Sequence, residues 1–191
     1  MDFENRVTPS EHHNIFNYLN FYNGGGVAAG DINQDGLPDL YLTGNQVSNK
    51  LYLNKGNLAF EDISEKAKVS GKKGWTTGVS MADVNGDGLL DIYVCQAGPF
   101  PSQDTRLANL LYINQGNSTF KEEASLRGLA DKGRSNHATF FDYDHDNDLD
   151  IFVINHPGGP HESQVGGRNE MRDTDRLYRN EGNGYFEDVT D

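Results

Sequence analysis

Apolar residues in this chain come in short runs punctuated by Gly, Asn and Asp, and the runs recur in a fixed order. A small, Gly-rich approach comes first: Gly24–Gly30, then Gly74–Ala82, then Ser135–Phe141. An acidic loop follows, and after it an alternating apolar segment: Leu40-Tyr-Leu42, Ile92-Tyr-Val94, Ile151-Phe-Val153. Next comes a Leu-Tyr-x-Asn-x-Gly-Asn stretch, beginning at Leu51, Leu111 and Leu177. Each unit closes on a Phe-centred segment at Phe60, Phe120 and Phe186. Period-two alternation bounded by Gly and Asn predicts strands rather than helices. Each unit therefore reads as four short strands.

The first Asp of each acidic loop is Asp31, Asp83 and Asp142, 52 and 59 residues apart. Four strands at that period is the size of a β-propeller blade. The expected fold is all-β, a propeller segment of about three four-stranded blades. The units run over residues 21–68, 69–130 and 131–191. Residues 1–20 are read as the end of a preceding blade and a linker, with Phe3–Thr8 as its last strand. Two helix-leaning pieces, Ser64–Lys68 and Glu122–Leu126, fall in loops between blades.

The acidic loops carry the chemistry. They read Asp31-Ile-Asn33-Gln-Asp35-Gly36-Leu37-Pro-Asp39, Asp83-Val-Asn85-Gly-Asp87-Gly88-Leu89-Leu-Asp91 and Asp142-Tyr-Asp144-His-Asp146-Asn147-Asp148-Leu-Asp150. Oxygen side chains at positions 1, 3, 5 and 9 wrap a short turn around one hard cation, and Ca2+ is the expected one. The side-chain ligands are Asp31, Asn33, Asp35 and Asp39; Asp83, Asn85, Asp87 and Asp91; and Asp142, Asp144, Asp146 and Asp150. Backbone carbonyls come from Leu37, Leu89 and Asp148. Gly at position 6 permits a left-handed turn, and Asn147 tolerates it better than most residues. A metal-free Asp/Asn/Gly turn is the plain alternative, but it leaves five carboxylates within nine residues of the third loop uncompensated. EF-hands and dockerins begin similarly, yet they need an acidic residue at position 12. Here that position holds Leu42, Val94 and Val153, inside apolar strands, so each loop closes a hairpin.

With each site supplied by one short loop, about three ions with a structural role are expected. At extracellular-module affinities of ~10⁻⁴–10⁻³ M, free Ca2+ near ~1 mM stabilises each site by ~0.4–1.4 kcal/mol. Cytosolic Ca2+ would leave such sites mostly empty. That favours an extracellular, periplasmic or cell-surface location.

Charge fits the same picture. The 191 residues carry a net charge of −13, which excludes a phosphate-neutralising basic face for nucleic acid. The loops hold 11 of the 29 acidic side chains, and three Ca2+ ions would bring the net charge to −7. The single cysteine, Cys95, allows no internal disulfide and reads as a buried small hydrophobe. No stretch reaches the ~20 apolar residues of a membrane span.

Other candidates compete with plainer readings. His156, His161 and Glu162 open a long polar segment, 156–175, that is a candidate partner-contact loop or second metal site. Phe100 between two prolines is either an exposed contact or a cover for a blade edge. Trp75, Tyr22 and Tyr143 form either a sugar-stacking platform or packing between blades. Gly24-Gly-Gly26 lacks the Lys-Ser/Thr of a phosphate loop. No free carboxylate pair of glycosidase type stands out. Asn117-Ser-Thr119 is a glycosylation sequon.

The combination Asp-x-Asn-x-Asp-Gly-x-x-Asp, Leu-Tyr-x-Asn-x-Gly and Phe-Glu-Asp-Val-Thr resembles the FG-GAP/VCBS repeats of integrin-α-like propellers. Within that group it is most similar to the CRTAC1/ASPIC-UnbV-type subgroup. The resemblance covers nearly the whole chain and implies a seven-bladed ring whose remaining blades lie in a longer parent chain. It implies a non-catalytic calcium-binding scaffold for adhesion or for recognition of a protein or glycan. The alternative is a module of a secreted polysaccharide-acting enzyme or its accessory protein.

Overall fold

The computed structural model describes residues 1–71, 74–100, 104–156 and 174–191. Each unit forms one four-stranded antiparallel sheet with its strands in sequence order. The first blade is β1 (Val27–Gly30), β2 (Asp39–Leu42), β3 (Lys50–Asn54) and β4 (Phe60–Asp62). The second is β5 (Thr76–Ala82), β6 (Asp91–Gln96), β7 (Leu110–Asn114) and β8 (Phe120–Glu122). The third is β9 (Ser135–Phe141), β10 (Asp150–Asn155), β11 (Arg176–Asn180) and β12 (Phe186–Asp188). The acidic loops join the first two strands of each blade, and position 12 lies in β2, β6 and β10. A single helical turn, α1 (Ser64–Ala67), follows β4, and the chain turns again after β8.

Alternation explains how the blades stack. Every residue of β6 is buried, because the middle blade has a neighbour on each face. Ile92 and Val94 face the first blade and pack with Ile32, Tyr41, Leu51 and Val69. Tyr93 and Cys95 face the third blade and pack with Ala138, Ile151, Val153 and Tyr178. Fully burying one such large side chain contributes about 1.5–3 kcal/mol.

Near the axis the innermost strands touch backbone to backbone. A Cβ on Gly26 would stand 2.7 Å from the Thr77 carbonyl oxygen, and one on Gly78 would stand 2.4 Å from that of Asn136. The small residues of the approach segments make this contact possible. Side-chain hydroxyls replace a strand ladder there. Thr43 donates to the Thr77 carbonyl, and Thr77 to the Ser135 carbonyl at 2.6 Å.

Residues 1–26 contain no strand, contrary to the expectation for Phe3–Thr8. That segment runs beside polar loop residues rather than a free strand edge. Asn5 donates to Asn45 at 2.8 Å, and the Thr8 N–H donates to Gln46 at 2.7 Å. The chain then crosses the face opposite the acidic loops. Tyr18 and Phe21 bury against Trp75, Ala97, Phe100 and Leu107 in a third small core. Tyr18 Oη also meets His156 Nε2 at 3.1 Å, which ties this strap to the third blade.

Candidate metal centres

Each acidic loop folds around its own carboxylates. Asp31 accepts N–H groups from Asp35 and Gly36 at 3.1 and 2.7 Å. Asp83 accepts from Gly86, Asp87 and Gly88 at 2.8, 3.1 and 2.7 Å. Asp142 accepts from His145 and Asn147 at 2.7 and 3.2 Å. The position-5 carboxylates Asp35, Asp87 and Asp146 each accept the N–H two residues on, at 2.9, 2.9 and 3.0 Å. Backbone dipoles thus hold the oxygens from outside and converge them. The left-handed residue expected at position 6 is present in all three loops: Gly36 (φ 82°), Gly88 (φ 86°) and Asn147 (φ 75°). Position 4 is left-handed as well, at Gln34, Gly86 and His145. Sequence reasoning missed this, although Gly86 was a signal.

The third loop brings Asp142, Asp144 and Asp146 together, with one carboxylate oxygen of each within 4.8 Å of the others. In the first two loops an Asn amide relieves its neighbour: Asn33 donates to Asp35 at 3.0 Å and Asn85 to Asp87 at 2.9 Å. Asp144 has no proton to offer. Desolvation and the Asp146 and Asp150 charges push its carboxyl above the usual range. The same two causes push Asp148 up to about 6. Asp148 Oδ1 is buried with no hydrogen-bond partner among the described residues. Clustered oxygens, unrelieved like charge and an orphaned buried acceptor are the donor set that a divalent hard cation satisfies.

Position 9 has a second job that the spacing did not reveal. Asp39, Asp91 and Asp150 are at most 1% exposed. One oxygen of each accepts the N–H of loop position 2: Ile32 at 3.0 Å, Val84 at 3.1 Å and Tyr143 at 2.9 Å. The other accepts the N–H of the third-strand Asn: Asn54, Asn114 and Asn180, each at 2.8 Å. Burial raises Asp91 to about 6 despite these N–H groups, with Asp87 and Asp83 adding to the shift.

Other sequence candidates separate. Trp75 is buried against Phe21 and Tyr18, with ring centroids 5.1 and 5.8 Å away. Tyr22 is exposed on the strap, and Tyr143 sits in the third acidic loop. These three form no platform, because Trp75 and Tyr143 lie at opposite ends of their blades. Phe100 is buried, with the Arg106 guanidinium 3.9 Å above its ring. Cys95 is fully buried, which pushes its thiol far above the ordinary range. Asn117 caps the β7–β8 turn by accepting the Thr119 N–H. Of the 156–175 segment, His161 and Glu162 lie outside the described residues.

Repeated four-stranded blades, each with an acidic hairpin loop, define a propeller-like repeat protein. The FG-GAP-like repeat family matches residues 31–94 and 102–153, and the chain belongs to that family. It is also similar to cartilage acidic protein 1 of Xenopus tropicalis, with 32% identity over 140 residues. That match covers 72% of this chain and 20% of the relative, so the chain spans about a fifth of the relative's length. No helix among the described residues is long and apolar enough to cross a membrane.

Proposed function

We propose that this protein is a non-catalytic scaffold of Ca2+-stapled blades that presents a recognition surface in an extracellular, periplasmic or cell-surface setting. The observation that carries this reading is the third loop, where the carboxylates of Asp142, Asp144 and Asp146 converge. The first two loops repeat its hydrogen-bond pattern. Asp31, Asn33, Asp35 and Asp39, with their counterparts, hold one ion per loop. The ion supplies charge neutralisation and a fixed hairpin. The residues' own work is to orient oxygens and tie the loop to the third strand. Similarity to a cartilage protein supports placing the scaffold outside the cytosol, where Ca2+ is plentiful. The surface opposite the acidic loops, built from inter-strand loops and the N-terminal strap, is the recognition face for a protein or glycan.

Calorimetric Ca2+ titration, paired with thermal melts in EDTA and in millimolar Ca2+, tests the metal. About three sites and a higher melting temperature are expected. Absence of both would overturn the staple. A glycan and protein array probed with and without EDTA tests recognition, with Ca2+-dependent binding expected.

A further inference from the structure

In an Asn-Gly pair the side-chain amide is open to attack by the next backbone nitrogen, because glycine's missing Cβ lets that nitrogen reach it. The chain holds three such pairs: Asn23-Gly24, Asn85-Gly86 and Asn183-Gly184. The same dipeptide carries nearly the same intrinsic chemistry, so the fold is what separates the three. Two conditions decide: the glycine nitrogen must be free to act as a nucleophile, and a ring must have room to close.

Two of the pairs are locked. The Gly86 N–H donates to the Asp83 carboxylate at 2.8 Å inside the second acidic loop, and that negative charge opposes loss of the proton. The Gly184 N–H donates to Asn180 Oδ1 at 3.2 Å. Gly184 is also buried, and a Cβ on it would stand 2.7 Å from the Arg127 guanidinium and 2.9 Å from the Val84 carbonyl oxygen. Asn23-Gly24 meets both conditions. The Gly24 N–H has no acceptor among the described residues, although its carbonyl accepts from Asn45 at 3.1 Å. A Cβ on Gly24 would meet nothing within 4 Å. Asn23 is exposed, and its amide donates to Asn20 across a surface turn at 3.0 Å.

We propose that Asn23 is a self-modification site, at which the folded chain deamidates through its own Gly24 nitrogen while Asn85 and Asn183 are protected. The Gly24 nitrogen attacks Asn23 Cγ. The new C–N bond closes a succinimide ring, and the side-chain nitrogen leaves as ammonia with the proton that Gly24 sheds. Water then opens the ring. Attack on the side-chain carbonyl gives aspartate, and attack on the main-chain carbonyl gives isoaspartate, whose backbone carries an extra carbon. One water is consumed and one ammonia released, and nothing is oxidised or reduced. Asn23 lies between Phe21, buried in the strap's core, and Gly26, which abuts the Thr77 carbonyl. Isoaspartate therefore lengthens the main chain that joins the strap to β1, and either product adds a negative charge there.

Timed incubation at mildly alkaline pH, followed by tryptic peptide mass spectrometry, tests the proposal. The three pairs fall on separate tryptic peptides, 7–50, 74–106 and 180–191. One sample is the folded 191-residue chain, checked by circular dichroism, and the other is the same chain unfolded in guanidinium chloride. In the folded chain the Asn23 peptide is expected to gain the amide-to-acid mass change about tenfold faster than the other two, whose N–H groups must first break a hydrogen bond. Labelling with an isoaspartyl methyltransferase should mark the same peptide. In the unfolded chain the three rates should converge. An Asn23 that stays intact in the folded chain while it converts in the unfolded one overturns the proposal. So does a folded chain in which Asn85 or Asn183 converts as fast, or an unfolded chain that keeps the tenfold difference. None of these outcomes depends on Ca2+ stoichiometry or on finding a recognition ligand.

Discussion

Asn114 donates its side-chain amide to the Ile32 carbonyl at 2.9 Å, across the boundary between the first and second blades. Its own N–H donates to Asp91, whose other oxygen holds the N–H of Val84. Val84 in turn offers its carbonyl to Asn180 of the third blade. Loop, third strand and neighbouring loop are thus linked by buried hydrogen bonds. Removing one donor leaves a buried carbonyl unpaired. Asn114→Ala is expected to destabilise the protein by about 1–2 kcal/mol more than Asn54→Ala, whose amide donates within its own blade, to the Pro38 carbonyl. Urea unfolding of both variants reads the difference, and equal losses would refute it.

Asp146→Asn should have opposite effects with and without metal. In EDTA it removes one of the charges that raise Asp144 and Asp148, so the melting temperature should rise. In Ca2+ it removes a ligand charge, and affinity for the third site should fall about tenfold. Calorimetry and melts on one preparation check both signs.

Acid should strengthen the metal-free protein over one window. Asp91 and Asp148 are raised to about 6, above the unfolded carboxylate value near ~3.9. Between those values the folded chain holds protons that the unfolded chain has lost, so these two groups make stability fall as pH rises. In EDTA the melting temperature should decline from about pH 4 to pH 6. Ca2+ affinity should climb across the same interval, because the ion needs ionised oxygens. Melts in EDTA that rise instead would show that other groups dominate.

Arg127 latches the second blade to the third. Its guanidinium contacts Glu123 at 2.8 Å and donates to the Asn183 and Gly184 carbonyls at 2.8 and 3.1 Å. Both members of the ion pair are only 10% exposed, so solvent screens the contact weakly. Arg127→Ala should cost about 2–3 kcal/mol. Arg127→Lys should recover only part of that, since an ammonium cannot span the carboxylate and both carbonyls. Thermal melts of the two variants rank the losses.

Local features were legible from sequence, and those needing a neighbour were not. Alternation at Ile92–Val94 and the spacing of Asp83, Asn85 and Asp87 are properties of a few adjacent residues, so strands and loops could be read directly. The double role of Asp39, Asp91 and Asp150 depends on where the third strand ends. The bond from Asn114 to Ile32 depends on how two blades stack. Recurrence of Asn at the same offset in each unit was the available signal. The N-terminal strap gave none. Tyr18 and Phe21 sit in a polar stretch without periodicity, and their burial follows from Trp75 and Phe100, which are distant in sequence.

The Asn-to-carbonyl link has a consequence for how such chains change length. Each blade brings one amide for the blade before it and one carbonyl for the blade after it. Duplicating a whole blade therefore inserts a matched donor and acceptor, and deleting one removes the pair together. Neither event strands a polar group in the interior, whereas a cut within a blade does. Gene-level gain and loss should accordingly proceed in whole-blade steps, with breakpoints between the last strand of one unit and the Gly-rich approach of the next.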